Sequence, residues 1–166
     1  MTVAKGRSSL GSSTRTLKVG DRAPEIALRS HTGEDFKLSE QRGHTVVLAF
    51  YPFAFTPVCS NQVPTYEAEL DRFTKYGAAV VGISTDSRHA NAAWAKSLGG
   101  ISFPLLSDFY PHGAVAEAYG ILRPEGMAER ALFIVDKDGV IRYIDVHELG
   151  EQPDEEQLFE ELARLQ

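Results

Sequence analysis

The chain has 166 residues and a mass of 18.2 kDa, a length that holds one domain with a sizeable core. Apolar residues make up 43% of it and charged residues 24%, as in an ordinary globular protein, and no apolar run is long enough to cross a bilayer. The net charge of −6 argues against sequence-independent nucleic-acid binding, and a single cysteine, Cys59, excludes an internal disulfide framework and a multi-cysteine zinc site. What these limits leave is a soluble cytoplasmic enzyme or binding domain, with neither nucleic acid nor membrane as a partner.

The charge is uneven. Residues 1–20 contribute +4 and the remaining chain −10. The basic segment is also rich in Ser, Thr and Gly, a composition that buries little, so residues 1–17 read as a flexible tail ahead of a domain at 18–166. An organelle transit peptide has a similar composition, but no sustained amphipathic pattern supports that reading here.

Downstream, His31-Thr32-Gly33-Glu34 reads as a turn between two short strands. Residues 45–51 (TVVLAFY) form a short apolar run rich in β-branched and aromatic side chains, the pattern of a strand buried on both faces. A helical stretch follows over 57–76, then a second buried strand at 78–83. Next come a helix near 89–98, an extended piece at 103–106 and a helix near 114–119. A third buried strand at 131–135 leads through the turn Asp136-Lys137-Asp138-Gly139 into a return strand at 140–146. The last helix carries Leu158, Phe159, Leu162 and Leu165 as one stripe, with Asp154 and Gln157 as a capping box after Pro153. Parallel βαβ units followed by a hairpin and a final helix make an α/β sandwich on one central sheet.

The stretch from Tyr51 to Cys59 (YPFAFTPVC) leaves the end of a buried strand and opens a helix. Thr56 suits the N-cap and Pro57 the first helical position. Cys59 then falls in the first turn, where free backbone N–H groups and the helix dipole favour an anion. The thiolate is the nucleophilic form of cysteine, and the carboxyl end of a central strand is where open α/β sheets bind ligands. On spacing alone, an inert buried cysteine fits equally well.

Pro52, Thr56 and Cys59 match the P-x-x-x-T-x-x-C signature of peroxiredoxins, and the resemblance extends from about Leu17 to Gln166. It takes in KVGDRAPEIALRSHTGEDFKLSE, FPLLSD and RALFIVDKDGVIRY, and it resembles most the one-cysteine alkyl hydroperoxide reductase E and bacterioferritin comigratory protein groups. The resemblance implies a thioredoxin-like fold, with a central mixed sheet flanked by helices and an N-terminal β-hairpin extension. It implies a thiol-dependent peroxidase that reduces hydrogen peroxide and organic hydroperoxides without a cofactor. Cys59 would be the peroxidatic cysteine, Thr56 would offer its hydroxyl to peroxide and thiolate, and Pro52 would shield the sulfur. Arg130 would stabilise the thiolate and hydrogen-bond the peroxide oxygens; without the motif it reads as a surface arginine paired with Glu129 or Glu125. Attack by the thiolate yields a sulfenic acid. An external thiol (thioredoxin, glutaredoxin, mycoredoxin or a low-molecular-weight thiol) would regenerate it, in a homodimer.

Two departures stand out. The position five residues after Cys59, where one subgroup of relatives keeps a resolving cysteine, is Pro64, and the position three after it, often Glu, is Gln62. Pro64 cannot donate to the Ser60 carbonyl, so a kink near residues 60–64 is expected, which either isolates a weak first turn carrying Cys59 or merely bends the helix. Gly82-Ile83-Ser84-Thr85-Asp86 lacks the closing glycine of a nucleophile elbow and reads as a strand end and helix cap. The five histidines show no metal-ligand spacing and read as surface or partly buried structural residues. Trp94 and Leu98 read as core. Two other readings stay open: a thioredoxin-like binding or chaperone module without peroxidase activity, and a cysteine hydrolase with a histidine base beside Cys59.

Overall fold

A strand buried on both faces needs apolar side chains in both directions, and the runs at 45–50, 78–84 and 130–135 provide them. In the computed structural model, which describes residues 3–7 and 9–166, the first half of the chain forms β1 (Ala4–Gly6), β2 (Ala27–Arg29), β3 (Asp35–Lys37), a 3-10 turn (Leu38–Gln41), β4 (Thr45–Phe50), α1 (Cys59–Ala68), α2 (Leu70–Lys75) and β5 (Ala78–Ser84). The second half forms α3 (Arg88–Ser97), β6 (Leu105–Ser107), α4 (Ala114–Ala118), β7 (Arg130–Val135), β8 (Ile141–His147), β9 (Glu151–Pro153) and α5 (Glu155–Arg164).

The central sheet has the order β6-β5-β4-β7-β8. β4 pairs in parallel with β5, and β5 with β6, while β7 runs antiparallel to both β4 and β8. This is the mixed α/β sheet of the thioredoxin-like class. The β2–β3 hairpin ahead of it turns at Gly33, whose φ of 92° suits glycine. One face of the sheet packs α1, α2, α3 and α5 around Trp94, Tyr66, Phe73 and Phe159. The other packs α4 with Ile26, Leu38 and Tyr119.

Four expectations are corrected. The helical stretch at 57–76 is two helices, and the break falls at Glu69 (φ −105°, ψ 15°). α1 itself runs on through Pro64. The capping box is half formed: the Asp154 carboxylate accepts from the Glu156 N–H, but Gln157 turns away to donate to the Tyr143 hydroxyl. Leu165 lies at the margin of the apolar stripe, 37% exposed.

The fourth concerns the segment read as a flexible tail. Its described residues lie along the domain. β1 pairs in parallel with β9, the Leu10 N–H donates to the Val146 carbonyl, and Thr16 Oγ1 donates to the Ala118 carbonyl. The reason is charge: Lys5 pairs with Glu155, and Arg7 with Asp154 and Glu160, on the acidic C-terminal stretch. Composition registers the basic residues but not the carboxylates that the fold sets opposite them.

The β7–β8 hairpin is locked by Asp136, whose carboxylate accepts from the Asp138 and Val140 N–H groups and from Arg142 Nε. Burial pushes this carboxyl up, but the hydrogen bonds from Val140, Arg142 and Asp138 outweigh it and hold the group below the usual aspartate range. A carboxyl so lowered adds stability above its unfolded pKa, about 3.9, and that stability is lost as pH falls through the folded value. Asp136→Asn is therefore expected to lower Tm at neutral pH by a few degrees, and the gap from wild type should close as the medium is acidified. Thermal melts across an acid pH series check this.

Candidate active site

The segment between β4 and α1 carries the signature residues. The Tyr51 N–H donates to the Ile83 carbonyl, holding the exit of β4 against β5. Tyr51 itself is buried, and its hydroxyl donates to Asn91 Oδ1 at 2.7 Å. Pro52 is buried. The Ala54 N–H then donates to Asp86 Oδ2 at 2.8 Å, and Ser84 Oγ donates to the same oxygen. Asp86 therefore clamps the loop to the end of β5. Phe55 adopts a φ of 67°, a left-handed conformation that is costly for a bulky residue.

The first helical hydrogen bond runs from the Ser60 N–H to the Thr56 carbonyl, so Thr56 sits at the helix start by its backbone. Its hydroxyl does not cap the helix. It donates to the Phe53 carbonyl at 2.7 Å. With its proton committed there, Thr56 Oγ1 has lone pairs to offer, and the donor role toward peroxide expected from the sequence is already taken.

Cys59 opens α1 and is fully buried. Arg130, at the start of β7, is only 2% exposed. Its Nη2 donates to Cys59 Sγ at 3.3 Å, Nη1 to Gln62 Oε1 at 2.8 Å, and Nε to the Leu149 carbonyl at 3.0 Å. None of these three acceptors is a carboxylate. Glu125 and Glu129, the partners that a surface arginine would have taken, pair with Arg123 instead. Among the described residues Arg130 is the one hydrogen-bond partner of the sulfur, so no histidine base of a cysteine hydrolase touches it.

Gln62 is the residue whose role the sequence left open. It is 1% exposed; its Oε1 accepts from Arg130 and its Nε2 donates to the Tyr66 hydroxyl at 3.0 Å. Burial pushes the Tyr66 phenol far up, against a smaller opposing effect of this hydrogen bond, and burial does the same to Tyr51. Both phenols stay neutral, leaving no competing anion from either. Trp94 supports the same turn, its Nε1 donating to Ser60 Oγ at 3.0 Å. Asp86 and Gln62 are the site residues that sequence reasoning missed or left undefined. A carboxylate two residues past a central strand was the available signal for Asp86; for Gln62 it was the i+3 spacing from Cys59.

The sequence pattern of the AhpC/TSA family matches residues 19–144. The chain is 37% identical over 151 residues to alkyl hydroperoxide reductase E of Mycobacterium tuberculosis, covering 90% of this chain and 98% of that protein. It is also 37% identical over 142 residues to peroxiredoxin-2 of Mus musculus, covering 80% and 71%. Among solved structures, the reduced 2-Cys peroxiredoxin of Plasmodium vivax superposes with a TM-score of 0.82 at 25% identity, covering 89% of this chain and 81% of that one. AhpC of Mycobacterium tuberculosis superposes at 0.81 and 25%, covering 90% and 93%. The chain belongs to the AhpC/TSA family of peroxiredoxins, which are thiol peroxidases.

The absence of a carboxylate from the contacts of the buried guanidinium makes a prediction. In Gln62→Glu a second anion would compete with the thiolate for Arg130, and the alkylation rate of Cys59 by iodoacetamide at neutral pH is expected to fall about tenfold. An unchanged rate would mean that the charge of Arg130 is not felt at the sulfur.

Proposed function

We propose that this peroxiredoxin reduces hydrogen peroxide and organic hydroperoxides at Cys59 and is regenerated by an external thiol. The observation that carries the reading is the guanidinium of Arg130, buried and 3.3 Å from Sγ with no carboxylate among its acceptors. A desolvated cation of this kind favours the anionic form of the group it faces.

The thiolate attacks one peroxide oxygen in line. An S–O bond forms, the O–O bond breaks, and the departing oxygen leaves as water or alcohol after taking up a proton. Negative charge grows on the leaving oxygen, and the two Arg130 N–H donors not used by the three contacts above are the fixed donors suited to stabilise it. Thr56 accepts the O–H of the incoming peroxide through the lone pairs of Oγ1, which orients the reacting oxygen toward sulfur. Pro52, buried at the loop's start, keeps bulk water from the thiolate.

Sulfur ends as a sulfenic acid in a chain with no second cysteine. Thioredoxin, glutaredoxin, mycoredoxin or a low-molecular-weight thiol would then form a mixed disulfide with it, and a second thiol would release reduced Cys59. Because Cys59 has no exposed surface, the first turn of α1 must open to admit such a thiol. Pro64 favours that opening, since the Ser60 carbonyl lacks its helical donor. The same reading places the protein in the cytoplasm, where reduced thiols are plentiful, and makes it a homodimer joined near the active-site loops.

Stopped-flow measurement of peroxide reduction tests the assignment: Cys59→Ser is expected to abolish it, and Thr56→Val to slow it by roughly 10²-fold with the fold retained, the scale for a misplaced reactant. Peroxide without thiol should yield sulfenic, then sulfinic and sulfonic acids by intact mass, with added thiol giving a mixed disulfide. A covalent dimer needs Cα atoms within about 7 Å across two subunits, so little of it is expected from a sulfur with no exposed surface. A disulfide-linked dimer dominating a non-reducing gel at stoichiometric peroxide would replace external resolution with an intersubunit mechanism.

A further inference from the structure

The family pattern covers residues 19–144, so β1 and β9 lie outside it. Together they form a two-stranded sheet, with Ala4 opposite Glu151 and Gly6 opposite Pro153. That small sheet is connected to both halves of the site. Gln152 of β9 is fully buried; its Oε1 accepts from Asn61 Nδ2, and its Nε2 donates to Thr65 Oγ1. Both partners lie on α1, the helix that begins with Cys59.

The second connection runs to Arg130. His147, expected from the sequence to be a surface or partly buried histidine, has no exposed surface and stands directly opposite Arg130 in the β7–β8 register. Its Nε2 donates to the Gly6 carbonyl at 3.1 Å and lies 3.6 Å from Glu151 Oε1, while Nδ1 faces Asp145 Oδ1 at 3.3 Å. The Gly6 carbonyl also accepts from the Asp154 N–H. Gly6 permits this close approach: a Cβ there would come within 2.7 Å of the Glu151 carboxylate. Between His147 and Glu151 lies Leu149, whose carbonyl accepts from Arg130 Nε. The turn that supplies this acceptor is thus held at both ends by contacts with β1.

We propose that β1 and His147 form a clasp that positions Arg130 against Cys59, so that the N-terminal strand belongs to the peroxide site although it touches no reacting atom. The inference rests on the roles assigned to Cys59 and Arg130 above. The clasp works by fixing the Leu149 carbonyl. When β1 is displaced, the 148–151 turn loosens, Nε loses its acceptor, and the guanidinium plane is free to rotate away from the sulfur. The ion pairs of Lys5 with Glu155, and of Arg7 with Asp154 and Glu160, keep the strand seated. They are exposed and individually weak, which makes them open to reversal without harm to the core.

The test uses the full chain. In the double variant Lys5→Glu/Arg7→Glu, kcat/KM for hydrogen peroxide is expected to fall about tenfold or more, as for a misplaced positioning group. The thiolate ultraviolet band at neutral pH should weaken in parallel, while the circular dichroism of the domain is retained. Lys5→Arg/Arg7→Lys, which keeps both charges, should restore wild-type values. His147→Leu, which cuts the tie to Gly6 with the strand's charges intact, should reproduce the loss. Unchanged rate and thiolate band in the charge-reversed and His147 variants would overturn the clasp, as would a fall in Tm with no change in either readout. Should wild type reduce no peroxide, the functional reading fails, and the thiolate band alone still reports whether β1 positions Arg130.

Discussion

A guanidinium that is 2% exposed is the constraint around which this site is built. Removing a cation from water costs several kcal/mol even after relaxation, and the cost is offset only if each face of the ion finds an acceptor. Arg130 finds one on α1, one in the turn before β9, and one at Cys59 itself. Two of the three are neutral. The third is the sulfur of Cys59, held 3.3 Å from Nη2. Gln62 meets the guanidinium through a carboxamide oxygen, which orients it without adding a charge.

The loop before α1 obeys a second constraint. It must leave β4 and enter α1 within a few residues, and it does so at the expense of a left-handed Phe55. Such a conformation persists only when the surroundings over-determine it. Here Asp86 takes the Ala54 N–H, Phe53 takes the Thr56 hydroxyl, and Ser60 is held by Trp94. These contacts come from three places in the chain, and together they fix the loop and the first turn of α1. The same packing leaves Cys59 with no exposed surface.

How far the sequence could be read depends on the range of the interaction concerned. Buried strands show as runs rich in β-branched and aromatic residues, and all five sheet strands were legible within a residue or two at each end, β6 as an extended piece. The Asp136 turn, the β2–β3 hairpin and the cap at Asp154 were legible because each is local. The break at Glu69 was not, because nothing in the sequence near it demands a stop. β1 and β9 escaped notice for a different reason. Each is three residues long, and each is a strand only because the other lies beside it.

By itself, the sequence determined the α/β class, the order of the main strands, and the placement of a lone cysteine at the start of a helix after a central strand. Those follow from periodicity, capping chemistry and motif spacing, all of which act over a few residues. Only the tertiary structure decided that Arg130 turns inward to Cys59 while Arg123 takes the acidic pair. It also decided that the Thr56 hydroxyl is spent on Phe53, that Gln62 and Leu149 complete the guanidinium's shell, and that the described residues of the basic N-terminal segment lie along the domain. Each of these depends on which distant group the fold places within hydrogen-bond range, and the free energy of burying or pairing a charge depends on that neighbour rather than on the residues beside it in the chain.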